Sequence, residues 1–344
     1  VLCLQNGDDV KTVQSNLGHA TAAFTLDVYG HVSEKNEAGQ RMDKFLAKYL
    51  NKAPKSFFYK MMRKKNITCN GKKVTGKESL KKGDIIRVFF SEETLTKFMR
   101  DAKALQQEYE MLQELPMKGL KVIYEDEDIL IADKPYNMLS QKARENDVSA
   151  NEYLLGYLIR THSLQLEDFE AFRPSVCNRL DRNTTGLLLM GKSLKGLQTL
   201  SEGLRERTIH KYYRAIVAGE VHKSEHLIGY LTKNEKDNMV TVTDKQTEDS
   251  SRIETAYEPV KVNAGKTLLE IHLITGKTHQ IRAHLASIGH PIIGDMKYGD
   301  KKVNQENYEE HKVTHQLLHA YRMEFPDGRI FCAPVPDIFV KLGF

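Results

Sequence analysis

A chain of 344 residues that is 40% hydrophobic and 28% charged, with a formal net charge of +5, has the balance of a soluble protein and the length for two or three domains. Its four cysteines, Cys3, Cys69, Cys177 and Cys332, lie far apart with neither a C-x-x-C pair nor metal-ligand spacing, so they read as reduced thiols rather than as a disulfide framework or a zinc site. No apolar stretch approaches the roughly 18 residues that span a bilayer, and the amino terminus lacks a basic region followed by an apolar one, so the expected location is the cytoplasm.

In the first 33 residues, Asn16-Leu17-Gly18-His19 and Thr25-Leu26-Asp27-Val28-Tyr29-Gly30-His31-Val32 resemble the carboxy-terminal end of a tyrosine recombinase, in which the Tyr attacks a DNA phosphate and an upstream His assists. The resemblance makes Tyr29 the nucleophile position and His19 the supporting one. A recombinase also needs an arginine-rich constellation from a large preceding core. With nothing before Val1 to supply it, residues 1–33 read as an inert remnant joined to another protein near residues 33–36.

Charge is unevenly spread. Residues 41–90 hold fifteen Lys/Arg against three Asp/Glu, a net of +12, leaving −7 for the rest. A local excess of that size is an electrostatic footprint for a polyanion, although a solvated charge run has the same composition. The internal pattern favours the first. Met42, Phe45, Leu46 and Leu50 follow helical spacing, residues 56–65 make a second helix with a basic end, residues 67–74 read as a hairpin, and Lys81-Lys82-Gly83-Asp84 reads as a turn into a strand. This succession resembles the alpha-L RNA-binding motif. The resemblance implies a domain over residues 36–92 whose helix pair presents Lys60, Arg63, Lys64 and Lys65 to a phosphate backbone.

Residues 93–117 are mixed and helical until Pro116 breaks the pattern, and read as a linker. From residue 118 onward short β-rich runs alternate with helices at 195–206 and 278–288, beginning with two strands around an acidic turn over 121–132, without the regular repeat of a doubly wound sheet. Within this region Asn178-Arg179-Leu180-Asp181-Arg182-Asn183-Thr184-Thr185-Gly186-Leu187-Leu188-Leu189-Met190 is the most informative stretch. Arg179 and Arg182 would favour the ionised form of Asp181, Thr184-Thr185-Gly186 reads as a turn, and the Leu run reads as a buried strand that holds it rigidly. Alone, an Arg-Leu-Asp triplet is more often a surface salt bridge beside a strand.

Three further blocks reverse that weighing. They are Ala132-Asp133-Lys134-Pro135-Tyr136 with Leu139, then Lys211-Tyr212-Tyr213-Arg214-Ala215-Ile216-Val217-Ala218-Gly219, then Thr275-Gly276-Lys277-Thr278-His279-Gln280-Ile281-Arg282-Ala283-His284-Leu285 with Gly289-His290-Pro291-Ile292-Ile293-Gly294-Asp295 after it. In this order they resemble the pseudouridine synthases of the RluA type, whose central motif is usually written His-Arg-Leu-Asp-Arg-Asp-Thr-Ser-Gly-Leu-Leu. Asn178, Asn183 and Thr185 depart from it conservatively.

The resemblance implies an α+β fold on a mixed, mainly antiparallel central sheet with a cleft across its middle. It implies an isomerase that breaks the bond between ribose C1′ and uracil N1, turns the base and rejoins it through C5, with neither metal nor cofactor. Asp181 would then be the catalytic carboxylate, attacking C1′ or removing a sugar proton, a choice the sequence leaves open. Arg282 would pair with it and keep it ionised. Tyr213 would pack on the uracil ring and could serve in proton removal from C5, with Tyr212 the adjacent competitor. Arg179 would fill the place of the flipped uridine in the RNA stack, Ile281 would form an apolar floor, and Lys277 would touch phosphate. An alpha-L module in front of such a domain points to large-subunit ribosomal RNA as the partner, and no obligate protein partner is implied.

Other patterns carry less. His311, His315 and His319 fall at i, i+4 and i+8, and a helix with that face could bind zinc, but residues 316–325 read as a strand entering the core, so no metal site is expected. His279 and His284 flank Arg282 and read as structural donors. Two further function classes stay in view. A non-catalytic RNA-binding protein is opposed by the intact Asp181, Tyr213 and Arg282, and a DNA-recombining enzyme by the missing arginine core.

Overall fold

The computed structural model describes residues 30–31, 39–98, 102–234 and 239–344; the recombinase-like positions His19 and Tyr29 lie outside them. Two compact units result, one holding residues up to Glu114 together with Leu158–Arg173, the other Leu115–Tyr157 with Pro174–Phe344. The boundary expected at 117/118 thus falls close to the division after Glu114, while Leu158–Arg173, inside the stretch read as catalytic, joins the first unit.

In the first unit β1 (Gly30–His31), α1 (Met42–Tyr49), α2 (Lys55–Arg63), β2 (Ile67–Cys69), β3 (Lys72–Lys73) and β4 (Ile85–Val88) follow one another, and the strands form an antiparallel sheet in the order β1-β4-β2-β3. Helical spacing places Met42, Phe45 and Leu46 on one buried face of α1. Phe58 and Met62 of α2 join them with Ile67, Ile86 and Val88 of the sheet in one apolar core. Asn70 and Gly71 turn β2 into β3 with φ of 50° and 73°, the paired left-handed conformations that an Asn-Gly hairpin turn adopts at little cost. The Asn70 amide donates to Asp84 Oδ1 at 2.8 Å and accepts from the Ile85 N–H at 2.8 Å, tying the hairpin to β4. Gly30 and His31 pair with Ile86 and Ile85, so the end of the segment read as a remnant is a strand of this sheet. The stretch read as a linker is helical, as α3 (Glu92–Phe98) and α4 (Ala102–Gln113). After α5 (Ala150–Arg160), α6 (Leu166–Ala171) packs beside α4: the Tyr109 and Phe169 rings lie 5.8 Å apart, and the Tyr109 hydroxyl donates to the Leu164 carbonyl at 2.8 Å.

The second unit carries β5 (Lys121–Glu125), β6 (Ile129–Lys134), β7 (Ser175–Val176), β8 (Thr185–Gly191), α7 (Leu194–Arg205), β9 (His210–Ala218), β10 (Glu225–Asn234), β11 (Met239–Thr243), β12 (Ser251–Asn263) and β13 (Lys266–Leu273). After these come α8 (Gln280–Ser287), α9 (Lys301–His311), β14 (Leu318–Glu324), β15 (Ile330–Cys332) and α10 (Asp337–Lys341). The strands form one sheet in the order β11-β10-β12-β13-β9-β14-β8-β6-β5, with β15 beside β14 and β7 beside β8. Every pairing is antiparallel except β14 with β8, the α+β, mainly antiparallel architecture expected. Leu187, Leu188, Leu189 and Met190 are all fully buried, because β8 is covered on both faces and a continuous apolar run replaces alternation.

The turn before β8 is not where the sequence suggested. Arg182 and Asn183 make it, closed by the Thr184 N–H donating to the Asp181 carbonyl at 3.0 Å, and Thr185 and Gly186 already belong to the strand. Gly186 serves the parallel joint instead. Its φ is +107°, and a Cβ there would lie 2.2 Å from the Ala320 carbonyl oxygen, so β14 can lie alongside β8 only over a glycine. The three-histidine pattern does not form a helix face. α9 ends at His311, His315 stacks on Tyr136 at 4.3 Å, and His319 sits in β14, 2.8 Å from Thr185 Oγ1. Among the described residues no His/Cys/Asp/Glu group is placed to hold a metal, and no helix is long and apolar enough to cross a membrane.

Candidate active site

Asp181 sits on the loop that enters β8, and that loop is clamped from its neighbour over 135–140. The Lys134 side chain, fully buried at the end of β6, donates to the carbonyls of Pro135 and Met138 at 2.9 Å and of Arg182 at 3.1 Å. Ser140 Oγ donates to the Leu180 carbonyl and accepts from the Leu180 N–H, both at 2.9 Å, and the Met138 N–H donates to the Arg182 carbonyl at 3.0 Å. The residues on either side of Asp181 are therefore fixed through their backbone. Its own side chain stays 27% exposed, free to meet a ligand.

Across the cleft, Arg282 of α8 donates from Nη1 to Asp181 Oδ2 at 2.8 Å. Its Nε and Nη2 form a fork on Asp295 at 2.7 and 2.8 Å. Burial opposes ionisation of Asp295, but Arg282 and the amides of Lys297 and Tyr298 outweigh it and hold the carboxyl below its usual range. The guanidinium is buried too, and the two carboxylates raise its pKa against that burial. Tyr213, in the middle of β9, is 5% exposed. Burial first, and the Asp181 charge second, push its pKa above the ordinary phenol value, so it is a neutral phenol at physiological pH.

Asp181, Arg282 and Tyr213 line one cavity of about 800 Å³. Arg179, Lys277 and Ile281 line it as well, so the structure gathers every residue expected at the reacting centre. Tyr212 does not line it. It faces away, stacked on His272 with ring centroids 4.7 Å apart and covered by Arg322 at 4.2 Å. Lys142, Arg182, Arg205, Arg207 and Lys211 add to the positive lining, against a single acidic residue, Asp181, among the described lining residues. Such a surface attracts a polyanion. Lys60, Arg63, Lys64 and Lys65 are exposed in the first unit, at the end of α2 and just beyond it.

The sequence reading missed the residues that hold the site. Lys134, Ser140 and Asp295 act on the backbone or on Arg282. Gln280 accepts from Thr275 Oγ1 at 2.8 Å and the Lys277 N–H at 3.1 Å while donating to the Glu254 carbonyl at 3.0 Å, which sets the loop before α8. Lys134, Gln280 and Asp295 lay inside the matched blocks, and membership in those blocks was their only signal. His284, 3.1 Å from Thr255 Oγ1, is the structural group expected; burial pulls its pKa down to about 4.

A family model described as RNA pseudouridylate synthase matches residues 128–287. The chain is 31% identical over 297 residues to the ribosomal large subunit pseudouridine synthase C of Vibrio vulnificus, with 85% of this chain and 86% of that protein covered. It is 30% identical over 296 residues to an uncharacterised RNA pseudouridine synthase of Mycoplasma genitalium, covering 85% and 87%. Its fold is similar to that of human RNA pseudouridylate synthase domain containing 4, with a TM-score of 0.53 at 21% identity over 68% of this chain and 95% of that one. Similarity that extends over most of both sequences, centred on the stretch that builds this cleft, shows that the chain belongs to the RNA pseudouridylate synthase family, isomerases that act on RNA.

Proposed function

We propose that this isomerase converts uridines of large-subunit ribosomal RNA to pseudouridine, with Asp181 as the catalytic carboxylate. The observation that carries the reading is the 2.8 Å bond from Arg282 to Asp181 in a cleft that is otherwise positively lined. It leaves Asp181 Oδ1 free of protein donors among the described residues. The bond between C1′ and N1 breaks with its electron pair on the base, while Asp181 either bonds to C1′ or takes a sugar proton. The base then turns and C5 bonds to C1′ as the Asp181–C1′ bond breaks or as Asp181 returns the sugar proton, and the proton that C5 loses is matched by one gained at N1, so Asp181 ends as it began. Electrons balance within the nucleotide, so the chemistry calls for no metal or cofactor.

Tyr213 packs on the uracil ring over the Ile281 floor. Its raised pKa favours packing over a role as a free phenolate base. Arg179, exposed at the cleft, fills the stack left by the flipped uridine, and Lys277 meets a phosphate. The basic end of α2, in a domain similar to the alpha-L motif, holds RNA beyond the reacting nucleotide through Lys60, Arg63, Lys64 and Lys65. The names of the similar bacterial proteins support ribosomal RNA as the substrate and hence the cytoplasm as the location. Mapping pseudouridines in ribosomal RNA from a host lacking this chain, with and without its return, tests the reading. Sites in large-subunit RNA that vanish and return support it, and an unchanged map refutes it.

A further inference from the structure

His279 was read as a structural donor, yet its surroundings aim one polar atom at the reacting centre. It precedes α8 with φ 54° and ψ 15°, a left-handed backbone that is uncommon outside Gly, with Asn, Asp and His enriched there. Its ring lines the cleft with 12% of the side chain exposed, and Nε2 lies 3.9 Å from Asp181 Oδ2. The other ring nitrogen is 3.0 Å from the Tyr298 hydroxyl, which already accepts from the Val240 N–H at 2.9 Å. The Tyr298 hydroxyl keeps a proton that it can donate to His279 Nδ1, an arrangement that goes with the imidazole tautomer carrying its proton on Nε2. Burial foremost, aided by Arg282 and Lys297 and opposed by Asp181, keeps the ring's pKa below the usual histidine value, so at neutral pH this is its single donor.

The 3.9 Å separation is too long for a direct hydrogen bond, but one oxygen about 2.9 Å from each atom bridges it. We propose that this oxygen is the 2′-hydroxyl of the target ribose, which accepts from His279 Nε2 and donates to Asp181, making His279 the residue that selects and positions ribose. The proposal rests on the reading of Asp181 as the carboxylate that works at C1′, because the 2′-oxygen is borne by the adjacent carbon and so arrives beside that carboxylate. Val240, Tyr298 and His279 then form a hydrogen-bonded chain that runs from a backbone amide to the ribose.

The test is a comparison of single-turnover rates on RNA carrying either ribose or 2′-deoxyribose at the target, for the wild type, His279→Asn and Tyr298→Phe. Asn tolerates the left-handed backbone, and Phe keeps the Tyr298 ring in place. The ratio of the ribose rate to the deoxyribose rate is expected to be about tenfold lower in His279→Asn than in the wild type, and lower in Tyr298→Phe as well. The intrinsic reactivity of the deoxy sugar is common to all three proteins and cancels. Equal ratios in all three would overturn the proposal; should His279→Asn fail to fold, Tyr298→Phe decides alone. Asp181→Asn separates the two readings, since turnover by that variant contradicts the role of Asp181, whereas equal ratios with an inactive Asp181→Asn contradict only the role of His279.

Discussion

Arg282 is shared by two carboxylates of unequal exposure. Asp295 is fully enclosed and takes two of its donors, which aims the third at Asp181. Because the Asp295 pKa is held below its unfolded value of about 3.8, the folded protein resists protonation there. The resulting stability is full above the unfolded pKa and is lost as pH falls through the folded one. Denaturation profiles should therefore drop steeply below about pH 4 in the wild type and more gently in Asp295→Asn, which starts from a lower stability at neutral pH; parallel acid limbs would show that the pair carries no such linkage. Lys134 is held by opposing influences. Burial pulls its pKa down to about 7 against Asp181 and Asp133, but three carbonyl acceptors within 3.1 Å need the three N–H bonds of the ammonium form. Lys134→Met strands those carbonyls and should cost about 3 kcal/mol or more in denaturant unfolding. A loss under about 1 kcal/mol would contradict the clamp. Asp181, Arg282 and Tyr213 could be singled out from sequence because their residue types and block order resemble a known family, and the structure places all three on one cleft. Lys134 and Asp295 could be quoted but not interpreted, because a side chain's grip on distant backbone or on another side chain leaves no periodic pattern.

At the scale of elements, periodicity carried furthest where burial is one-sided or complete. The spacing of Met42, Phe45 and Leu46 foretold α1, and the Leu run foretold β8, whereas Thr184-Thr185-Gly186 misled because a glycine in a turn and a glycine under a neighbouring backbone look alike in one dimension. The helix expected over 278–288 starts at Gln280, since His279 is left-handed and Gln280 holds the preceding loop. The three-histidine pattern failed for a related reason: Lys312, at φ 59°, ends α9, and the next residues enter the strand layer. The close approach at Gly186 gives a direct test. Gly186→Ala places a methyl 2.2 Å from the Ala320 oxygen on a backbone with φ of +107°, so β14 must shift or β8 must rearrange, and about 3 kcal/mol or more of stability should be lost. Wild-type stability in that variant would mean that the parallel joint between β8 and β14 is looser than described.

For the molecule as a whole, charge divides into two features, a basic amino-terminal unit and a cleft lined by cations around one acid. If the first holds RNA through phosphates, its affinity depends on counterion release and falls steeply with salt. Replacing Lys60, Arg63, Lys64 and Lys65 with Gln should weaken RNA binding and flatten that salt dependence, measured by titration at several ionic strengths. An unchanged slope would mean that the RNA runs elsewhere. In the cleft, the proposed chemistry turns on one atom pair. Asp181→Asn keeps shape and a polar partner for Arg282 but removes the charge proposed to act at the sugar. The most direct measurement is pseudouridine formation by the purified protein on RNA without added metal or cofactor, alongside RNA affinity, for the wild type and Asp181→Asn. The account predicts product from the wild type, none from the variant, and similar RNA affinity for both; measurable turnover by Asp181→Asn would contradict it.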